Sequence, residues 1–288
     1  GGDSLKNYSP LFYATLLIQG QMKQPALVST TLVYDFLFIG LGAANSLLIL
    51  SLSKNGLLDG KTIAIIEPSS KLTDDKTFCF WSTREELSSL NLEELVSHSW
   101  KQIEIAGTTK QNIQPLSYYH VKGTDLTKKS KEILSLNEVT YFRCTLNSIP
   151  SVGSDYIEVT TRESVLLCHK VFDSRPPTFS KLQKNQSHLF QSFYGWKIKT
   201  DKPVFDASSM VLMDFKIPQN DSSQFIYVLP FESDTALVEL TRFGKEKLTK
   251  EEANIILQDY VQKLGTSFEK LEDEVGLIPM HSGKIEVA

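Results

Sequence analysis

Cysteine is scarce in this 288-residue chain: Cys79, Cys144 and Cys168 are its only three, and no two stand at CxxC spacing. That excludes a disulfide framework and a cysteine-based zinc site, and it fits reduced thiols in an intracellular, cytoplasmic protein. Basic charge is not in excess either. The net charge is −4, which argues against nucleic acid as a partner. No apolar run approaches the roughly 20 residues that span a bilayer, so no transmembrane helix is expected. The five histidines, His98, His120, His169, His188 and His281, are scattered without ligand spacing, and they predict no metal site. Internal repeats and low-complexity tracts are missing as well.

What remains is an ordinary globular composition, 41% hydrophobic and 22% charged. The length suffices to bury a full core in one large domain or two interlocked ones. Both ends stand apart. Residues 1–31 contain the short apolar run LFYATLLIQG without the basic flank of a signal peptide. They read as a poorly ordered extension before a fold that starts near Leu32. The closing stretch HSGKIEVA follows a turn and offers no final helix, so the fold is expected to be truncated there.

Val33–Ile39 is a continuous apolar run of strand length, as in a strand buried on both faces of a parallel sheet. Ala43–Lys54 reads as a helix that ends before Asn55-Gly56, and Lys61–Pro68 (KTIAIIEP) as a second buried strand stopped by proline. Strand, glycine turn, helix and strand make one βαβ unit. In the turn, Gly40 permits the tight bend and Gly42 lets the backbone approach a pyrophosphate, whose charge the amides at the helix start can meet. The third glycine of the usual fingerprint is replaced by Asn45, larger but able to make a polar contact near the helix start. Glu67 closes the second strand about 20 residues further on, where a carboxylate can accept both hydroxyls of an adenosine ribose. An acid there favours FAD or NAD over NADP. The plain alternative is a buried βαβ unit whose glycines serve only packing.

Further along, Ser82/Thr83 followed by Glu85/Glu86 has capping-box spacing for a short helix. YIEVTTR and VLLCHKVFD read as strands, and SMVLMDF, FIYVLPF and TALVELTRF as three strands of an antiparallel sheet. Thr249 with Glu252 caps an amphipathic helix to about Lys263, with Ile255, Ile256, Tyr260 and Leu264 expected on its apolar side. The order suggests an α/β nucleotide domain carrying an inserted substrate sheet.

Several stretches are longer than a generic nucleotide-binding motif. They are Tyr34–Asn45, DKTFCFW (Asp75–Trp81), VFDSRP (Val171–Pro176), QSFYGWKI (Gln191–Ile198), VFDASSMVLMDF (Val204–Phe215), FIYVLPF (Phe225–Phe231), ALVELTRF (Ala236–Phe243) and EVGLIPM (Glu274–Met280). In this order, over roughly residues 34–280, the chain resembles lycopene cyclases of the bacterial lycopene β-cyclase type. The resemblance implies an FAD-binding Rossmann-like βαβ domain over 32–288, with an antiparallel substrate sheet inserted at roughly 75–120 and 190–275. It also implies a redox-neutral cyclisation of the acyclic end groups of lycopene to β-ionone rings, with reduced FAD and NADPH as reductant. Lycopene is insoluble in water, so peripheral contact with a membrane is implied too. Cofactor-binding roles fall on Gly40, Gly42, Asn45, Glu67 and Asp173. The late glycine-rich segment that covers the flavin in such proteins is not found after Met280.

In this family a glutamate followed at the second position by threonine protonates the polyene, and Leu237-Val238-Glu239-Leu240-Thr241 carries that role to Glu239. A second acid often follows directly; here Leu240 stands in its place. The chemistry agrees with such a role. Protonating a C=C bond needs an acid still protonated near neutral pH, and burial in an apolar tunnel provides one. The tertiary cation needs negative or π density, which reduced flavin and aromatics such as Trp81, Phe193, Trp196 and Tyr227 can supply. By pattern alone, Glu239 is an acid on the wet face of an antiparallel strand. Asp214 is either paired in the core or lines the site, and Arg175 either meets pyrophosphate or pairs with Asp173. Two other functions stay open: an FAD-dependent monooxygenase or dehydrogenase on an apolar substrate, and an inactive fragment of such a flavoprotein.

Overall fold

The computed structural model describes residues 32–70, 77–105, 108–146, 151–153, 155–175 and 187–282. The expected extension 1–31 and the last residues, 283–288, lie outside the described residues. The first half of the fold runs β1 (Val33–Ile39), α1 (Ala43–Lys54), β2 (Thr62–Ile66), β3 (Thr77–Thr83), α2 (Arg84–Ser89), β4 (Val96–Trp100), β5 (Gln102–Ile105), β6 (Gln111–Asn112), β7 (Leu116–Lys122), α3 (Gly123–Leu134) and β8 (Glu138–Phe142). The second half runs β9 (Ser151–Val152), β10 (Ile157–Thr160), β11 (Val165–Asp173), β12 (His188–Thr200), β13 (Ser209–Asp214), β14 (Ser223–Pro230), β15 (Thr235–Gly244), α4 (Lys250–Gln262) and β16 (Phe268–His281).

Three sheets result, in the orders β8-β2-β1-β11-β10-β9, β16-β12-β15-β14-β13-β5-β6 and β3-β7-β4. In the first, β8, β2, β1 and β11 are parallel, and their apolar runs are buried on both faces as such strands require. Phe36 and Phe38 of β1 face Ile49 of α1 and Leu134 of α3, while Leu37 and Ile39 pack on the opposite side with Leu166 and Cys168. This is a Rossmann-like α/β unit. The chain leaves β1 for β2 on one side and returns as β11 on the other, so β1 marks a switch point where ligands bind at strand C-termini.

The central strands of the seven-stranded sheet are covered on both faces. Ala236, Val238 and Leu240 of β15 pack against Ala253, Ile256, Leu257 and Val261 of α4. On the other face, Leu229 and Leu237 meet Trp100 and Tyr118 of the three-stranded sheet. That small sheet is sandwiched in turn, because Phe78, Phe80, Tyr119 and Val121 pack on Leu47 and Leu50 of α1 and Leu126 of α3.

The capping boxes form as their spacing predicts, with Thr83 and Glu86 closing α2 and Thr249 and Glu252 closing α4. Of the residues expected on the apolar side of α4, Ile256 is buried, Tyr260 and Leu264 are partly buried, and Ile255 is not. Ile255 is 72% exposed, and the buried stripe runs through Ala253, Ile256, Leu257 and Val261 at helical i, i+3, i+4 spacing. Asp214 is paired rather than catalytic in position: its carboxylate accepts the Tyr260 hydroxyl at 3.0 Å and the Lys216 amide at 2.9 Å, on the α4 side.

Candidate active site

The glycine turn, Glu67 and Asp173 meet at the C-terminal edge of the parallel sheet, where Ile39 pairs with Ile66 on one side and with Asp173 on the other. Gly40 takes φ +83, and a Cβ there would lie 2.6 Å from Ser174 Oγ, which itself donates to the Ile39 carbonyl at 2.9 Å. Gly42 caps α1, and a Cβ on it would meet nothing within 4 Å. The first turn of α1 has no side-chain cap and no acidic residue. Backbone donors at a helix start that faces open space fit a pyrophosphate.

Asn45 is 4% exposed and turned inward. Its Nδ2 donates to the carbonyls of Ile39 (3.1 Å), Gly40 (2.7 Å) and Phe172 (3.2 Å), tying the turn to β1 and β11. Glu67 folds onto the turn as well: Oε2 accepts the Leu41 amide at 2.7 Å, and Oε1 accepts the Ser69 amide and hydroxyl at 3.0 Å and 2.8 Å. Both oxygens of Glu67 are thus engaged at the turn, at the strand end where a dinucleotide's ribose is bound. Asp173 forms a forked pair with Arg175, whose Nε and Nη2 donate at 2.9 Å and 2.6 Å. Burial pushes Asp173 up, but the hydrogen bonds and charge of Arg175 outweigh it and hold the carboxyl below its usual range.

Glu239 lies elsewhere, on the face of β15 turned to the three-stranded sheet. It borders a cavity of ≈ 400 Å³ with Cys79, Tyr118, Phe193, Tyr227 and Glu274 among the walls. The residue is half-buried. Burial pushes its carboxyl up to about 8, the charge of Glu274 adds to the rise, and a hydrogen bond from the Thr241 hydroxyl (3.2 Å) opposes it. Cys79 and Tyr118 are pushed up too, chiefly by burial, so both face the cavity as neutral groups.

Of the aromatics named from sequence, Phe193 and Tyr227 share the cavity with Glu239. Trp196 points to the opposite face, buried against the α4 layer and stacked on Phe268, and Trp81 is 43% exposed beside Tyr118. Sequence reasoning missed Glu274, Thr77 and Tyr118. The only sequence signal for Glu274 is its place at the head of EVGLIPM.

The raised carboxyl has a stability consequence with a definite sign. A folded value near 8 lies above the roughly 4.3 of an unfolded glutamate. The contribution of Glu239 is therefore complete below about pH 4 and is lost as pH rises through about 8. Glu239→Gln, which cannot ionise, is expected to gain melting temperature relative to the wild type across that window. A constant difference from pH 4 to 9 would contradict the elevated value.

The family model described as lycopene cyclase protein matches residues 35–288. A lycopene beta-cyclase of Pseudescherichia vulneris is 24% identical over 254 residues, which cover 85% of this chain and 61% of that protein. A lycopene beta-cyclase of Paracoccus sp. (strain N81106 / MBIC 01143) is 33% identical over 92 residues, or 32% of this chain and 24% of that protein. The match thus spans less than two thirds of either relative. Among solved structures, the halogenase PltM in complex with phloroglucinol and FAD superposes with a TM-score of 0.56 at 13% identity, covering 85% of this chain and 60% of that one. That likeness concerns the fold: a Rossmann-like unit joined to a large sheet. With the family match running from β1 through β16, the chain belongs to the lycopene cyclase family.

Proposed function

We propose that the protein closes the acyclic end groups of lycopene, or of a related acyclic carotenoid, into β-ionone rings without net redox change. The observation that carries this reading is Glu239, a carboxyl held protonated near neutral pH and facing a cavity walled by Phe193, Tyr118, Tyr227 and Leu229. An acid of ordinary strength and exposure is ionised at pH 7 and has no proton to give to an alkene.

Glu239 gives its proton to a carbon of the terminal double bond, whose π pair forms the new C–H bond and leaves a tertiary cation. The next double bond attacks that cation and closes the ring. A proton then leaves a ring carbon, and its C–H pair becomes the ring double bond. One proton enters and one leaves. The rings of Phe193 and Tyr227 offer π density to the cation, and the Thr241 hydroxyl orients the acid.

The cofactor in this reading is FAD, with Gly40, Gly42 and the start of α1 at its pyrophosphate and Glu67 at its adenosine ribose. Asn45 keeps the turn in shape, and Asp173 fixes the adjoining strand end through Arg175. Bound, and kept reduced by NADPH, the flavin supplies negative charge that stabilises the cation. Lycopene reaches the protein by peripheral contact with a membrane from the cytoplasmic side. Among the described residues no helix is long and apolar enough to cross one.

Expression in lycopene-accumulating cells with pigment analysis tests the reading. The expected product is a cyclised pigment of unchanged mass. A pigment heavier by oxygen or lighter by hydrogen assigns the scaffold to a monooxygenase or dehydrogenase, and unchanged lycopene argues against the activity.

A further inference from the structure

We infer that Glu274 is the base of this reaction, set opposite Glu239 across a gap that Gly195 leaves open; the inference rests on the cyclase reading above. Tyr227 of β14, Glu239 of β15, Gly195 of β12 and Glu274 of β16 stand in one register across four neighbouring strands. Residues directly opposed in antiparallel strands present their side chains on the same face. The two acids therefore flank a position that has no side chain. With strands about 4.8 Å apart, their backbones are about 10 Å from each other.

Glu239 leans into that gap. A Cβ on Gly195 would lie 3.4 Å and 3.5 Å from its Cβ and Cγ, and 3.0 Å from Leu237 Cδ1. Glu274 is fixed from the opposite layer: Oε1 accepts the Thr77 amide at 2.7 Å, and Oε2 accepts the Thr77 hydroxyl. Two donors aimed at its two oxygens favour the ionised form. Both acids border the same cavity: burial raises the Glu239 carboxyl, while the two Thr77 donors favour the ionised form of Glu274. Such a split between neighbouring carboxyls marks an acid and a base.

The other titratable groups facing the pair are Cys79 of β3, Tyr118 of β7 and Tyr227 of β14, all pushed up by burial and neutral at pH 7. Glu274 also borders an adjoining cavity of ≈ 320 Å³, lined by His98, His120, Lys122, Lys197, Glu272 and Asp273. Burial, His98 and the two lysines hold His120 down to about 4, so it is neutral as well. This polar space connects Glu274 to water.

In the step assigned to it, the Glu274 carboxylate accepts the proton from the ring carbon beside the cation. That carbon's C–H pair forms the ring double bond. Glu274 then releases the proton to water, and Glu239 regains one from water, so the cycle balances without an electron carrier. The second acid missing beside Glu239, where Leu240 stands, is thus supplied from another strand.

Two readouts on Glu274→Gln test the assignment. The first is the infrared carboxylic-acid band of Glu239 in purified protein, identified by its loss in Glu239→Gln and followed against pH. Its midpoint is expected to fall by about one unit or more in Glu274→Gln and to stay near the wild-type value in Glu274→Asp, which keeps the charge. The second is ring formation in lycopene-accumulating cells, expected to drop about 100-fold or more for Glu274→Gln while Glu274→Asp keeps a measurable share. An unmoved midpoint, or rings at the wild-type level in Glu274→Gln, overturns the assignment. Circular dichroism checks the fold of each variant, and Glu274→Asp carries the test where Gln does not fold: failure of that charge-keeping variant to make any ring while folded also counts against it. A shifted midpoint in a protein whose wild type makes no rings keeps the pair and sinks the cyclase reading instead.

Discussion

Glu239→Gln is expected to lower ring formation by about 10²–10⁴-fold, the range a positioned general acid supplies, while leaving fold and flavin content intact. Glutamine preserves the shape of the side chain and its hydrogen bond with Thr241, but it has no proton that an alkene can take. The variant also separates chemistry from packing. Glu239 lies on the cavity-facing side of β15, whereas the residues that hold α4, Ala236, Val238 and Leu240, alternate with it on the other face. Loss of rings in a folded, flavin-loaded protein, measured by pigment chromatography, is the expected outcome. Rings at a tenth of the wild-type level or more would assign the proton donation to another group.

Gly40→Ala and Gly42→Ala are expected to weaken FAD binding for different reasons. At Gly40 the backbone is left-handed, φ +83, and the new Cβ would meet Ser174 Oγ at 2.6 Å. Forcing a non-glycine residue there costs about 1–3 kcal/mol, which corresponds to roughly fivefold to 150-fold in affinity when the strain falls on the binding conformation. This substitution is expected to lower melting temperature and FAD affinity together. Gly42 has φ −85 and open space in front of it, so its methyl strains nothing in the chain and only occupies the approach to the helix start. Here affinity is expected to fall with the melting temperature unchanged. Fluorescence titration of FAD and thermal unfolding report the two quantities. Wild-type affinity in Gly42→Ala would remove the turn from the cofactor site.

The nucleotide unit was largely readable because its signals are local. Val33–Ile39, Ala43–Lys54 and the strand before Glu67 are set by apolar runs, a helix stop and a proline within a short stretch of chain. The role of Asn45 was not readable, since one of the carbonyls it binds belongs to Phe172, 127 residues away. Glu239 was misleading by pattern for a physical reason. Leu237, Glu239 and Thr241 make a mixed face of β15, as a half-exposed strand can, but that face is covered by β3, β7 and β4 rather than by water. Only the family resemblance pointed to a buried acid there. Glu274 was harder still. It sits in β16, a strand with charged and exposed residues on much of its length, and its partner Thr77 is 197 residues distant. α3 also escaped notice, because its first turn lacks a side-chain cap and its middle is lysine-rich.

The central claim is that a solvent-equilibrated carboxyl starts a redox-neutral ring closure. Mass analysis of the pigment formed from lycopene in D₂O tests it most directly. The account predicts one deuterium for each ring closed and no other change in mass. Rings that carry no deuterium, or a product that has gained oxygen or lost hydrogen, would contradict it.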